Sequence, residues 1–509
     1  MNTKQTSGTR ITIVGLMLAL LLVSLDSTIL STAIPTIVVD LGGMAQFFWV
    51  FSAYMVASAA GMPIFGKLSD QYGRKLFFVL GLILFMIGSL LCGSSQSMTQ
   101  LILYRVLQGI GGGALMPVIF TIIFDLFPPD KRGKIVGLFS SVFGLSSVLG
   151  PLAGAFFSDH LHWRWIFYIN LPLGIASLLL VAYFYRESFA RIRPSIDWAG
   201  TLLLIGSILC LMFALEWGGK QYSWSSPLVI SLFTASGVLL LVFLWVETRA
   251  ADPLIPLSLF KKKLFVSSMA IGVGFGMILM GGASLIPLFI QGVNGGSATN
   301  AGIVLMPMML SLVAGSTIGG IFLSRTAYRN LMLPGVTCLL ASVILLSLIT
   351  PDTARWLITL DMILMGLGIG ISFPVSSLMA QDGIGKHQRG TVNSLVRFSQ
   401  ALGNTLGISL LGSLQTNALT TRYGEWFVKN EPGDLFRDPE ALLNQEMRST
   451  IPAGQLDQLT GILSDSIAYA FMWAVPIVIV TFIFILWIGN AKIEKKEPIQ
   501  PVPNAIHGR

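Results

Sequence analysis

Charge is scarce in this sequence. Only 11% of the 509 residues are charged, whereas 54% are hydrophobic and the mean hydropathy is +0.77. Because a soluble domain usually carries about a quarter charged residues, this composition excludes an ordinary soluble protein. It predicts an all-α polytopic membrane protein.

Cysteine and histidine are scarce as well. The three cysteines, Cys92, Cys210 and Cys338, lie far apart in apolar stretches, and the four histidines are separated from one another. This pattern gives neither a disulfide framework nor metal-ligand spacing, so we expect no metal and no other cofactor. The net charge of +8 does not indicate a nucleic-acid partner, because the basic residues lie in short loops between apolar runs.

A phosphate-binding loop is missing too. The nearest string to G-x-x-x-x-G-K-[ST], "DGIGKHQRG", has His387 where a metal-binding hydroxyl is required. The run "GIGGGA" matches a dinucleotide-binding pattern, but it lies inside an apolar span with no preceding strand, so close helix packing is the better interpretation. We therefore expect no enzyme activity and no ATP hydrolysis; transport would draw on an ion gradient or run downhill.

Long apolar runs dominate what is present. A window of about 20 residues, enough to cross a bilayer core, predicts fourteen spans near residues 11–38, 47–65, 76–95, 99–123, 134–158, 166–184, 197–216, 227–246, 264–290, 300–323, 331–350, 356–378, 391–416 and 467–489. The first span is too long and too polar at Asp26 for a cleaved signal peptide. If both termini are cytoplasmic, about 23 of the 32 Lys and Arg lie on that side, as the positive-inside rule predicts. The long outer segment 417–466 reads as an external cap, with a short helix at "PEALLNQEMR".

An internal repeat divides the spans into two halves. A shift of 257 positions aligns "GIGGGALMP" (109–117) with "GLGIGISFP" (366–374), and a shift of 254 aligns the second span with the tenth. Spans one to six therefore recur as spans nine to fourteen. The predicted units are an N-terminal six-helix bundle (1–196), two inserted helices with a linker (197–263), a C-terminal six-helix bundle (264–489) and a cytoplasmic tail (490–509). Two such halves around a shared cavity are typical of secondary transporters.

The connection after the second span carries a recognisable motif. It reads "GKLSDQYGRK" (66–75), with Gly66, Asp70, Gly73, Arg74 and Lys75 at its key positions. On charge alone it is an ordinary positive-inside loop in which the glycines permit a tight turn. The pattern resembles the signature of the major facilitator superfamily. That resemblance implies a conformational-switch loop, in which Asp70 faces the positive N-terminal end of the thirteenth span near Gly390.

Two further motifs narrow the resemblance. "LILYRVLQGIGGG" (101–113) resembles a fourth-helix motif whose arginine, here Arg105, is implicated in proton transfer. "GLSSVLGPLAGA" (144–155) resembles the fifth-helix motif of drug:proton antiporters, with Gly144, Gly150, Pro151 and Gly154 in place and Ala155 where a glycine is usual. With fourteen spans, the chain resembles the fourteen-helix drug:proton antiporters, which include bacterial multidrug and quaternary-ammonium exporters. The resemblance implies the major facilitator fold and a monomeric, proton-driven exporter of lipophilic cations and other amphiphilic compounds in a bacterial cell membrane.

Ionisable residues inside spans are the candidate coupling groups. Asp26 lies roughly 22 Å along the first span, too deep to reach a surface, and such acids are functional by default; a purely structural ion pair with Arg105 is the alternative. Asp361, in the twelfth span, either lines the cavity or lies near the outer surface. Arg397 is close enough to the cytoplasmic end to snorkel there, and Glu216 is expected at the outer interface.

The mechanism expected from these residues is competition at Asp26. A carboxyl group in a low-dielectric cavity tends to hold a proton until a cationic substrate, or Arg105, compensates its charge, so proton and drug would exclude one another. Ser27, Thr28 and Ser31 either line the same cavity or bond to backbone carbonyls. Other cargoes stay open: a neutral or zwitterionic antibiotic, a fatty acid or a siderophore. A proton-coupled importer, a membrane enzyme and a sensor are less favoured alternatives.

Overall fold

The fold is built from long helices. In the computed structural model, the described residues are 3–42, 48–187, 197–219, 221–250, 253–296, 298–323, 325–430, 448 and 451–492, and within them the chain forms helices and no strand. The helices are α1 (Thr3–Leu41), α2 (Phe48–Tyr72), α3 (Arg74–Gly93), α4 (Met98–Leu126), α5 (Pro129–His160), α6 (Asn170–Phe184, after a helical turn at Trp165–Tyr168), α7 (Trp198–Trp217), α8 (Pro227–Glu247), α9 (Lys263–Leu288, continued by a π-helical segment Phe289–Val293), α10 (Ala298–Phe322), α11 (Tyr328–Leu346), α12 (Arg355–Met379), α13 (Arg389–Asn430) and α14 (Ala453–Ile488).

Each of the fourteen predicted spans falls on one of these helices. Within the described residues, twelve helices are long and apolar enough to cross a membrane. The two others are α5 and α13, which occupy equivalent places in the repeat and pack against helices of both halves. The multi-pass membrane architecture is confirmed, and the count of fourteen spans stays a prediction.

Helix packing follows the sequence repeat. In the first half α1 packs on α5, and α4 packs on α2 and α3; in the second half α9 packs on α13, and α12 packs on α10 and α11. The two halves meet through α2 with α13 and through α5 with α10, which are again equivalent pairs. The inserted helices α7 and α8 pack mainly on each other, and α7 joins them to α2 and α13.

The repeated glycines explain why the two halves pack alike. A side chain at Gly113 would collide with the backbone of Ser58 on α2, and one at Gly370 would collide with the backbone of Leu312 on α10. These positions are equivalent in the repeat, so a close helix approach recurs in both halves. This contact supports the packing interpretation of "GIGGGA".

Two predicted boundaries are wrong. The segment 66–75 is not a loop, because α2 continues to Tyr72 and α3 begins at Arg74; the turn is made by Gly73 alone, whose φ of 109° favours glycine. The outer segment 417–466 begins and ends as helix, since α13 continues to Asn430 and α14 starts at Ala453. At 42 residues α13 is about 63 Å long, far more than a bilayer core needs. The predicted helix at 439–448 lies almost wholly outside the described residues.

The halves are held together at one end of the bundle. We call this end the terminal face; it is the end where α1 begins near Thr3 and α14 finishes near Ile488. There a side chain at Gly66 would collide with Ser394, and Asn393 Nδ2 donates a 2.8 Å hydrogen bond to the carbonyl of Pro117. Both contacts join the first half to the second, so the described conformation is closed at the terminal face.

Candidate functional site

A buried ion pair lies inside the first bundle. Arg105 Nη1 on α4 is 2.6 Å from Asp26 Oδ2 on α1, and each residue is only 1% exposed. The guanidinium also donates from Nε to the carbonyl of Val50 at 3.0 Å and lies over the Tyr54 ring at 4.4 Å. Arg105 therefore joins the acid of α1 to the backbone and an aromatic side chain of α2.

Two amides complete the hydrogen bonding of the acid. Gln108 Nε2 and Asn170 Nδ2 donate to Asp26 Oδ1 at 2.7 and 2.9 Å, and both residues are fully buried. Gln108 Oε1 accepts from Arg105 Nη1 at 2.8 Å, while Asn170 also donates to Ser89 Oγ at 2.9 Å. Sequence reasoning missed both amides, although Gln108 follows Arg105 by one helical turn, a spacing that places both on one face.

Asp26 does not line a cavity between the halves in this conformation. Its three side-chain partners, Arg105, Gln108 and Asn170, all belong to the first bundle. Breaking a buried pair by removing one partner typically costs about 3 to 5 kcal/mol, because the other charge is left uncompensated. The site is therefore a buried charge pair that contacts α1, α2, α4 and α6, all within the first bundle.

Asp70 lies at the N-terminus of α13. Its Oδ1 accepts from the amide of Gly390 at 2.9 Å, and its Oδ2 accepts from the amide and hydroxyl of Thr391 at 2.8 and 3.2 Å. The first amides of a helix have no partner within the helix and carry partial positive charge, which favours a carboxylate. This is the contact across the halves that the motif led us to expect; its switching role stays a prediction.

A second set of charges supports this contact. Arg74, only 2% exposed, forms ion pairs with Asp70 at 3.4 Å and with Asp125 at the end of α4, and its amide donates to Glu187. Asp125 also pairs with Arg389 at 3.6 Å, which again connects the two halves. Lys75 is partly exposed at the start of α3. Within the motif, Arg74 thus holds Asp70 in place from the first half.

The glycines of the α5 motif contact two different neighbours. A side chain at Gly150 would collide with Thr28 and lie 3.1 Å from the Ile29 amide on α1, whereas one at Gly144 would collide with Val313 on α10. Gly154 is buried, and the side chain of Pro151 lies outside the described ones. The motif therefore fits α5 closely against the helix that carries Asp26 and against the second half.

The hydroxyl groups beside Asp26 serve the backbone. Ser27 Oγ donates to the carbonyl of Ser24 at 2.8 Å, and Thr28 Oγ1 reaches the carbonyl of Ser146 on α5 at 3.0 Å. Of the two possibilities left open by the sequence, carbonyl bonding applies to these two residues. The side chain of Ser31 lies outside the described ones.

The remaining acids lie apart from this cluster. Asp361 on α12 is 3% exposed, and its backbone carbonyl accepts from Ser342 of α11, while its Oδ1 has no hydrogen-bond partner in the described chain. It is buried in the second bundle, and none of the described hydrogen bonds of Asp26 and Arg105 joins them to it. Glu216, at the end of α7, accepts from Ser52 of α2 at 2.7 Å.

Arg397 does not snorkel as expected. It is 6% exposed, and its guanidinium lies between the rings of Phe120 on α4 and Phe373 on α12, 3.9 and 4.5 Å from their centroids. The prediction was wrong because the side chain turns into the interface between the halves, where two aromatic faces hold the cation.

Two equivalent helix bundles that meet through matching helices, the first of them enclosing a buried charge pair, define a secondary membrane transporter. The chain belongs to the Major Facilitator Superfamily, whose family model matches residues 16–408. It is 45% identical to "Multidrug resistance protein 3" of Bacillus subtilis (strain 168) over 97% of each chain. It is 34% identical to "Multidrug transporter protein MdtP" of the same organism, over 95% of this chain and 94% of the relative. The fold matches the major facilitator proton:xylose symporter XylE with a TM-score of 0.58 at 13% identity, over 92% of this chain and 96% of XylE.

Proposed function

We propose that this chain is a proton-driven antiporter that exports amphiphilic drugs, lipophilic cations among them, from a bacterial cell. The terminal face is then the cytoplasmic side, so both chain termini are cytoplasmic, and one chain without a cofactor is the working unit. The relatives named for multidrug resistance support the cargo class. The observation that carries the proton coupling is the sealed pair of Asp26 and Arg105.

Protonation of Asp26 would remove one charge of this pair. Arg105 would then keep its charge in a low-dielectric interior with only Gln108, Tyr54 and a carbonyl as partners, a costly state that favours rearrangement. A proton arriving from the outside would thus raise the free energy of the conformation in which Arg105 of α4 is packed against α2. Each pH unit across the membrane provides about 1.36 kcal/mol per proton.

Helix α2 is the physical connection between the proton site and the closed face. Near its start it touches Arg105 through Val50 and Tyr54, and near its end it presents Gly66 and Asp70 to α13. A displacement of the first turns of α2, around Val50 and Tyr54, would therefore move the contacts that Gly66 and Asp70 make at the terminal face. Alternating access follows when the proton state biases this two-state contact.

The test is dye uptake in inside-out vesicles with an imposed pH gradient, acidic inside. Asp26→Asn is expected to abolish gradient-dependent uptake of cationic dyes, because the pair can no longer change charge. Since a lone Arg105 also destabilises the bundle, the double variant D26N/R105Q is measured beside it; it keeps hydrogen-bonding groups without either charge and is expected to fold but not to couple.

Asp40→Asn is the matched control. Asp40 lies on the same helix, one residue before its C-terminal end, where it is exposed and bonds to Trp163 and Arg164 of the first half. Its loss is expected to leave uptake intact. Gradient-dependent uptake of every dye by D26N/R105Q at the wild-type rate would refute the coupling role. A second candidate, export of zwitterionic amphiphiles, is favoured by the position of Arg397.

A further inference from the structure

The guanidinium of Arg397 is incompletely satisfied. Its Nη1 donates to Gln400 Oε1 at 3.3 Å, but Nε and Nη2 have no hydrogen-bond partner among the residues that the structure describes, nor does any described carboxylate pair with it. The side chain is nevertheless 6% exposed. Burying a guanidinium in this way is costly, and the faces of Phe120 and Phe373 offset only part of the cost.

The two unpaired donors form one edge of the guanidinium. Nε and Nη2 point to the same side, and this edge is the one that binds both oxygens of a carboxylate through parallel hydrogen bonds. The opposite side, at Nη1, is already held by Gln400. The side chain therefore offers a preformed two-donor site of the geometry that a carboxylate fits.

The site lies where the halves separate. Phe120 belongs to α4 of the first half, whereas Phe373 and Arg397 belong to α12 and α13 of the second. One turn earlier on α13, Asn393 bonds across the interface to Pro117, and its Oδ1 also has no partner in the described part of the chain. Opening of the terminal face withdraws α4 from α13 and uncovers these polar groups beside an aromatic surface.

We propose that Arg397 binds the carboxylate of amphiphilic substrates when the terminal face is open, with the flanking phenyl rings contacting the substrate's aromatic part. This inference rests on the proposed export function and adds a substrate class to it: zwitterions that carry a carboxylate near an aromatic system. A purely cationic drug uses the same cavity without this contact.

A matched pair of dyes tests the proposal. Rhodamine B carries a free carboxylate, and its ethyl ester keeps the same cationic ring system without that charge. In inside-out vesicles with an acid interior, Arg397→Gln is expected to raise the KM for rhodamine B about 10- to 100-fold, the effect of losing charge-assisted hydrogen bonds. The KM for the ester is expected to change less than about twofold, because the ester cannot form the bidentate contact. Arg397→Lys keeps the charge but not the fork, so we expect an intermediate KM for rhodamine B.

The outcomes separate this inference from the proposed function. Wild-type uptake of the ester without uptake of rhodamine B overturns the role of Arg397 and leaves the export function standing, whereas uptake of neither dye overturns both. An equal rise in KM for the two dyes in Arg397→Gln shows a structural role only and refutes the carboxylate contact. An unchanged KM for rhodamine B in that variant refutes it as well. Ester transport and thermal unfolding of the purified variant report that it is folded.

Discussion

Replacing Asp70 with asparagine removes the charge that bonds to the start of α13 at the terminal face, while keeping the size of the side chain. The carboxylate accepts three hydrogen bonds from Gly390 and Thr391 at the start of α13, at 2.8 to 3.2 Å. Asparagine retains one acceptor oxygen and turns an amide N–H₂ group toward backbone donors. The variant is therefore expected to favour the conformation that is open at this face.

The magnitude follows from the bonds that are lost. A hydrogen bond to a charged group contributes about 1.5 to 3 kcal/mol, and the positive helix end adds up to about 2 kcal/mol in a buried geometry. Losing at least one such bond together with the charge weakens the closed state by about 2 to 4 kcal/mol. Because about 1.4 kcal/mol corresponds to a factor of ten, the open fraction is expected to rise about 30-fold or more, until opening is complete.

Thiol labelling measures this fraction. A cysteine at Ser394, which is buried against Gly66, is introduced after Cys92, Cys210 and Cys338 have been replaced. Its rate of reaction with a maleimide is proportional to the open fraction when opening and closing are fast. We expect the rate in membranes to rise with Asp70→Asn by the factor given above.

The control variant is again Asp40→Asn, whose side chain contacts only residues of the first half among its described bonds. It is expected to leave the labelling rate unchanged. If Asp70→Asn and Asp70→Ala both label at the wild-type rate, the carboxylate does not hold the face closed and the reasoning fails.

Two further predictions concern packing and helix ends. Gly150→Val is expected to push α1 away from α5, because the new side chain meets Thr28 and Ile29. We expect a loss of about 1 to 3 kcal/mol of stability together with loss of transport, measured by thermal unfolding and dye uptake. The control is Gly412→Val, where an added Cβ meets open space; an equal loss of stability and transport in both variants would contradict the prediction. Arg448→Ala is expected to lower the free energy of unfolding by about 1 to 3 kcal/mol, because Arg448 donates to the carbonyls of residues 292 and 293 at the end of α9. The control, Arg422→Ala, removes an exposed ion pair with residue 465 and should lower it by at most about 1 kcal/mol. Equal losses of stability in thermal unfolding would contradict the reasoning.

Much of the fold could be predicted from the sequence because it depends on local signals. Apolar runs of membrane length mark each helix, and the repeated glycines, such as Gly113 and Gly370, mark where two helices come close. The boundaries were less predictable. Helix α2 continues past the apolar region to Tyr72, since a helix does not have to end where the bilayer core ends.

The charged residues of the site could be predicted from the sequence, but the residues that form hydrogen bonds with them could not. Asp26 and Arg105 stand out because ionisable residues are rare in spans, but which face of α1 meets α4 depends on tertiary packing. The amide of Asn170 comes from a third helix 144 residues away in sequence. The direction of the Arg397 side chain was not predictable for the same reason: its depth permits snorkelling, and only the positions of Phe120 and Phe373 show that it turns inward.

The length of α13 gives the molecule a lever arm. One end of this 42-residue helix carries the contact with Asp70. Near the other end, Trp426 Nε1 donates a 2.6 Å hydrogen bond to Gln458 Oε1 of α14. Over about 60 Å, a tilt of roughly 10° displaces one end by about 10 Å relative to the other. A ligand that binds the end of α13 near Trp426 would thus oppose the tilt of this helix, and with it any opening at the terminal face.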